Sequence, residues 1–208
     1  MRYMRCEGMQ AQNQSLIVRM AIAHSHFEAV HPFRDGNGRV GRLLLPLMMA
    51  AEGQTPLYLS PYIETHKNEY YASLKAAQQQ PNWQEMVGFL ADAVVGTADE
   101  LLVTRSALTD LTEIWRKRRK FREGSAALGS LEKLTHYPVL TIKRLADLLE
   151  VSFTAASQAV DQLIEAGILI ERTGYERNRV FAAPEVLTVI NRPFSEMPML
   201  PDKTASAT

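Results

Sequence analysis

Cysteine is nearly missing from this chain of 208 residues, where Cys6 stands alone. A single thiol excludes an intramolecular disulfide framework and points to a reducing compartment. No run of 18 uncharged apolar residues occurs, because Arg42 and Glu52 bracket the longest greasy stretch, so no membrane-spanning helix is expected. The opening residues Met1-Arg2-Tyr3-Met4-Arg5 have no apolar segment behind them of the kind a secretory signal needs. An excess of charge is missing too: Lys+Arg and Asp+Glu number 23 each, so bulk charge recommends neither nucleic acid nor a membrane surface. The expectation is a soluble, cytoplasmic chain of one or two domains with room for a substantial core.

What is there is concentrated in His31-Pro32-Phe33-Arg34-Asp35-Gly36-Asn37-Gly38-Arg39-Val40-Gly41-Arg42. Upstream, Leu16, Ile17, Met20, Ala23, Phe27 and Val30 recur at helical steps, predicting a helix over 14–30. Downstream, Leu43-Leu44-Leu45-Pro46-Leu47-Met48-Met49-Ala50-Ala51 predicts a buried helix. A polar loop thus opens the second helix, where free N–H groups and the positive end of the dipole favour an anion. Gly36 and Gly38 let an anion approach the backbone and permit positive φ. Asn37 can add an amide donor. Arg39 and Arg42, three apart on one helix face, can grip successive phosphates. Asp35 is a hard oxygen ligand suited to a Mg²⁺ that bridges phosphates. His31 can take a proton from an attacking hydroxyl, and Phe33 is expected to point inward and pin the loop. Together these parts describe a polyphosphate site with a base and a metal beside it.

Two rival readings fail on context. Gly36-x-Gly38-x-x-Gly41 spells a dinucleotide-binding fingerprint, but a helix-like segment precedes it, and Thr55-Pro56-Leu57 stands where an acidic residue is needed. A metal site from His24, His26 and His31 fails because residues i and i+2 of a helix point apart and no second pair has ligand spacing.

The twelve residues closely resemble the signature of the Fic family, H-P-F-x-[D/E]-G-N-G-R-x-x-R, and match it at every defined position. Members of that family transfer AMP from ATP to a hydroxyl side chain of a target protein. The resemblance implies His31 as general base and Asp35 as Mg²⁺ ligand. It implies Gly36, Asn37 and Gly38 as the cradle of the α- and β-phosphates, with Arg39 and Arg42 on the β- and γ-phosphates. Gly38-Arg39 is similar to the AMP-transferring branch and unlike the kinase-like Doc branch. Tyr70-Tyr71, similar to a tyrosine pair of the family, would line the adenine pocket with Gln78 nearby, although adjacent helical tyrosines diverge and one is open to a core role. Family members place helices and a target-ordering flap upstream of the motif. The expectation here is an N-terminally shortened member, with residues 1–13 a frayed helical remnant and target docking affected more than nucleotide binding. The family's inhibitory pattern, [S/T]-x-x-x-E-[G/N], finds no match: Ser60-Pro61-Tyr62-Ile63-Glu64 runs into Thr65. No internal brake on Arg42 is therefore expected, and an antitoxin-like partner or a second copy of the chain remains compatible.

Four regions follow. A mainly α, Fic-like core spans 1–103, with Ser60-Pro61 opening one helix and Pro81-Asn82-Trp83 the next, to about Leu102. A connecting helix spans 104–134 and carries the basic run Arg116 to Arg122, read as a solvated face before a nucleic-acid contact. Residues 135–191 give helix, turn, helix and hairpin, the winged-helix arrangement, and many Fic proteins have a similar module. Its second helix holds no Lys or Arg and carries Asp161 and Glu165, while Arg172, Arg177 and Arg179 on the wing are thin support for DNA. Protein interaction, dimerisation or support is favoured, and 192–208 is expected to be a disordered tail. The functional expectation is a Mg²⁺-dependent protein adenylyltransferase acting on a Ser, Thr or Tyr hydroxyl. The alternatives are a truncated nucleotide-binding relic and a DNA-associated regulator.

Overall fold

The structure, a computed structural model, describes residues 14–79, 82–175 and 178–201. Among these residues it is mainly α, and the chain divides into two compact units, Met1–Leu101 and Leu102–Thr208. The expectations for residues 1–13, for Arg177 and for 202–208 lie outside the described residues.

In the first unit, α1 (Leu16–Val30) follows Ser15 and ends at His31, which adopts the left-handed conformation at φ 47° and returns its N–H to the Phe27 carbonyl. Pro32 then bars further helix. Helix α2 (Asn37–Ala51) starts from Gly36, whose φ of 81° is comfortable only for glycine. One face of α2 is buried through Asn37, Gly41, Leu45 and Met49, a stripe of four-residue steps. Leu43 and Leu47, part of the run that predicts burial, lie exposed on the other face. The sequence predicts one helix from Ser60, and the structure has two, α3 (Ser60–Thr65) and α4 (Lys67–Gln79). They part at His66, whose Nδ1 bonds the Tyr62 carbonyl at 3.0 Å while the two rings stack. Met20, Leu45, Leu59, Ile63, Met86 and Leu90 close the core of this unit.

Helix α5 (Gln84–Arg118) runs unbroken for 35 residues, past the predicted end near Leu102, and the unit boundary falls within it. The predicted connecting helix is instead divided. Gly124 turns at φ 70°, and Ser125 caps α6 (Ala126–His136) by accepting the Leu128 N–H. Strand β1 (Val139–Thr141), α7 (Ile142–Leu149), α8 (Phe153–Glu165), β2 (Ile170–Glu171), β3 (Val180–Ala182) and α9 (Pro184–Ile190) complete the second unit. Its sheet has the order β1-β3-β2, antiparallel throughout, with Leu140 opposite Phe181. Trp115, Leu131, Leu134, Leu145, Leu163 and Phe181 fill its core. The stretch expected to be a tail is placed as far as residue 201: Arg192 donates to Thr104 and to the Val189 carbonyl, and Leu200 packs against the core.

Three of the six cations in the basic run are paired within this unit. Arg116 pairs with Glu113, Arg118 with Glu185 at 2.5 Å, and Arg119 with Glu165. Glu185 also accepts the N–H of fully buried Trp115 at 2.6 Å. Leaving a buried donor unpaired costs about 1–3 kcal/mol. Glu185→Ala should therefore lower the unfolding free energy of the chain by about that amount, read from the denaturant midpoint. Glu185→Gln, which keeps an acceptor, should lower it less.

Candidate functional site

His31, Arg34, the run from Asp35 to Arg39, and Arg42 line one open cleft of about 370 Å³. Helix α1 supplies His31 at its end, and α2 supplies the arginines on its first turns. The loop between them is held by Asn37. Its Oδ1 accepts the Phe33 N–H at 2.9 Å, and its Nδ2 donates to the Phe33 carbonyl at 2.6 Å. The Asn37 side chain is thus occupied in shaping the bend and is buried, so what it offers a ligand is the backbone N–H of the first helical turn. Phe33, expected inside, is half exposed and rests against Phe27 with ring centroids 6.3 Å apart.

The His31 imidazole has a defined tautomer. Nδ1 lies 2.5 Å from the Glu28 carbonyl, and a carbonyl can only accept, so Nδ1 carries the proton. The Nε2 lone pair is left to act as a base. Asp35 is 95% exposed at the mouth; its Oδ1 accepts the Gly36 N–H at 2.7 Å and its Oδ2 lies 3.7 Å from Arg39 Nη2. Both guanidinium groups turn toward the bend. Arg39 Nη2 lies 3.3 Å from where a Gly36 Cβ would stand, and Arg42 Nη1 lies 3.5 Å from the corresponding point on Gly38. The two glycines therefore differ: Gly36 supplies positive φ, while a Cβ at Gly38 would meet the Arg42 guanidinium at ordinary contact distance.

Behind the cleft lies a buried polar cluster that the motif pattern does not announce. His24 Nδ1 donates to the Gly41 carbonyl at 3.1 Å, so its Nε2 accepts from the Tyr70 hydroxyl at 2.8 Å. Tyr70 is accordingly 3% exposed and bonded inside the core, whereas Tyr71 is 55% exposed. The rings of the pair expected to line a base pocket stay in contact, with centroids 5.3 Å apart, but they differ in burial, and of the two only Tyr71 is exposed enough to face a ligand. Burial, with Arg42 adding to it, lowers the His24 pKa to about 4 against the opposing bond to Gly41. Burial raises the Glu28 pKa, opposed by His31 and Arg42. The three-histidine metal reading finds no support here: His26 faces Trp83 at 5.7 Å, and no cluster of three metal-ligating side chains occurs among the described residues.

Sequence reasoning also missed Glu64. It fails the inhibitory pattern, yet its Oε1 lies 3.6 Å from Arg42 Nη1 and its Oε2 3.6 Å from Lys67. Only the fold brings α3 against the first turns of α2, so no spacing rule carries the signal.

The bend brings together backbone donors, three guanidinium groups, one exposed carboxylate and an imidazole around one cleft, a set of groups able to receive an anion and to move a proton. Comparison with known proteins shows what the chain is similar to. Residues 1–49 match the family model of the Fic/DOC family. Protein adenylyltransferase fic-1 of Caenorhabditis elegans is 54% identical over 61 residues, 29% of this chain and 11% of that protein. Protein adenylyltransferase Fic of Aedes aegypti is 34% identical over 113 residues, 54% of this chain and 22% of the relative. That of Culex quinquefasciatus is 32% identical over 109 residues, 50% of this chain and 21% of the relative. These matches support a Fic family protein, and the chain spans about a tenth to a fifth of the length of these relatives.

The His24 environment sets a pH dependence. Its folded pKa of about 4 lies below the ordinary 6.5, so between those values the unfolded chain binds the extra proton. Stability should be full above pH 6.5, decline as pH falls toward 4, and level off below. The loss is at most about 3 to 4 kcal/mol, since a tenfold change in proton affinity corresponds to about 1.36 kcal/mol. Denaturant titrations across that window should show the slope, and His24→Gln should flatten it.

Proposed function

We propose that this protein is a protein adenylyltransferase, moving AMP from ATP to a Ser, Thr or Tyr hydroxyl of a target protein. The observation that carries the reading is the tautomer of His31, whose Nε2 lone pair is free beside a cleft lined by the arginines of the motif. The curated relatives named protein adenylyltransferase support it.

In this reading His31 Nε2 takes the proton of the attacking hydroxyl as its oxygen bonds to the α-phosphorus. The bond from that phosphorus to the bridging oxygen breaks, and pyrophosphate leaves. Arg39 and Arg42 hold the departing phosphates, while the N–H groups of the bend at Gly36 to Gly38 hold the phosphate oxygens where charge builds. The donor set also fits Mg²⁺. Asp35 is a single, almost fully exposed carboxylate with lone pairs to spare beside an anion cleft, and Mg²⁺ is commonly held by one or two carboxylates plus substrate phosphates. Asp35 would hold it, and when bound it would neutralise charge on the phosphate oxygens. Tyr71, exposed on α4, is the residue we assign to the adenine side.

We read the second unit as a winged helix whose role is protein contact or support. DNA association is poorly served, because α8 presents Asp161 and Glu165, with Glu165 paired to Arg119. The lone Cys6 fits a reducing, cytoplasmic setting, and among the described residues no helix is long and apolar enough to cross a membrane.

A positioned base contributes about two to four orders of magnitude. His31→Ala should therefore lose AMP transfer by about a hundredfold or more, measured with labelled ATP on a lysate or as self-modification, while Mg-ATP binding persists in calorimetry. Undiminished transfer by His31→Ala rules the assignment out.

A further inference from the structure

Three arginines border the cleft, and the family signature defines only two of them. We propose that Arg34, which falls at an undefined position of that signature, is a third polyphosphate-binding cation, contacting the phosphate chain of the nucleotide. This inference rests on the cleft being a nucleotide site.

Pairing sets the three arginines apart. Arg39 Nη2 lies 3.7 Å from Asp35 and Arg42 Nη1 lies 3.6 Å from Glu64, so each has a carboxylate of the protein beside it. Arg34 lines the same cleft, and among the described residues it makes no ion pair, hydrogen bond or ring contact. Asp35 stands beside Arg39, Glu64 is shared between Arg42 and Lys67, and the guanidinium of the cleft with no carboxylate beside it is Arg34. An incoming polyanion meets that charge without first displacing a protein partner.

Placement supports the same role. The backbone of Phe33, immediately before Arg34, is clamped on both its N–H and its carbonyl by the buried Asn37 amide. The root of the Arg34 side chain is therefore fixed beside the bend, although its tip is exposed. Asp35, the candidate metal ligand, follows directly, and Gly36 opens α2 one residue later. A guanidinium there can bridge two phosphate oxygens with its planar fork, which an ammonium cannot do. A triphosphate is the fitting ligand because it brings several negative charges to a cleft whose other two cations are partly satisfied.

The test is calorimetric titration of the whole chain with Mg-ATP and, separately, with Mg-tripolyphosphate. The variants are Arg34→Gln, Arg34→Lys and Arg42→Gln, each at low and at physiological salt. Arg34→Gln should weaken both ligands alike, by about tenfold, with a shallower dependence on salt than the parent. Arg34→Lys should fall between, since it keeps charge but not the fork. An unchanged unfolding midpoint shows that the variants are folded. If Arg34→Gln binds tripolyphosphate within about twofold of the parent while Arg42→Gln weakens it, the proposal is overturned and the nucleotide reading stands. If the parent binds neither ligand, the nucleotide reading falls, and this proposal falls with it.

Discussion

The close approach of α1 and α2 at Gly41 is the constraint on which the cleft depends. A Cβ added there would stand 2.3 Å from the Glu28 carboxylate, 3.1 Å from the Phe27 ring and 3.2 Å from His24. A side chain there would have to displace the Glu28 carboxylate and crowd the Phe27 and His24 rings. Because Gly41 leaves its carbonyl open to α1, His24 can bond it and still reach the Tyr70 hydroxyl on α4. One imidazole therefore ties three helices together at the level of the motif. His31 lies two turns further along α1 and Arg42 one residue beyond Gly41. The distance between base and guanidinium is set by this contact and not by the loop alone, since packed helices move as stiff bodies.

That dependence explains which parts of the site were legible in the residues. The start of α2 could be read because Gly36 and Asn37 act locally, through positive φ and a bond back to Phe33. The end of α1 could be read because Pro32 forbids continuation. The fates of Tyr70 and Tyr71 could not be separated, because the choice rests on His24, 46 residues away. Phe33 reads as core by composition, yet it rests on the surface of Phe27, since the Asn37 clamp already holds the loop and no inward anchor is needed. Glu64 was invisible for the same reason as Tyr70: it belongs to the site through α3, not through any spacing to the motif.

In the second unit the local signals again outperformed the global ones. Ser125, Thr141 and Ser152 each cap a helix by accepting an N–H three residues on, although the start at Ser125 was read through as part of the connecting helix expected over 104–134. The length of α5 was not marked. The helix holds no Pro, its Gly88 and Gly96 do not stop it, and two cations of the basic run, Arg118 and Arg119, are held by Glu185 and Glu165 from elements far along the chain. A run of like charge says little about partners until the acidic residues that the fold brings to it are known.

The carboxylates beside the motif arginines govern how an anion is received. Arg39 and Asp35 are 76% and 95% exposed, so their attraction is screened and contributes at most about 1 kcal/mol. A pair of that strength holds a guanidinium near the bend without binding it firmly. Arg42 differs, with its side chain only 21% exposed and Glu64 opposite. Its attraction to Glu64 is less screened, and a phosphate must compete with that carboxylate for the same guanidinium. The two arginines of one motif are thus set differently by their surroundings: one is loosely kept at the mouth and readily exchanged, the other is seated deeper and already balanced.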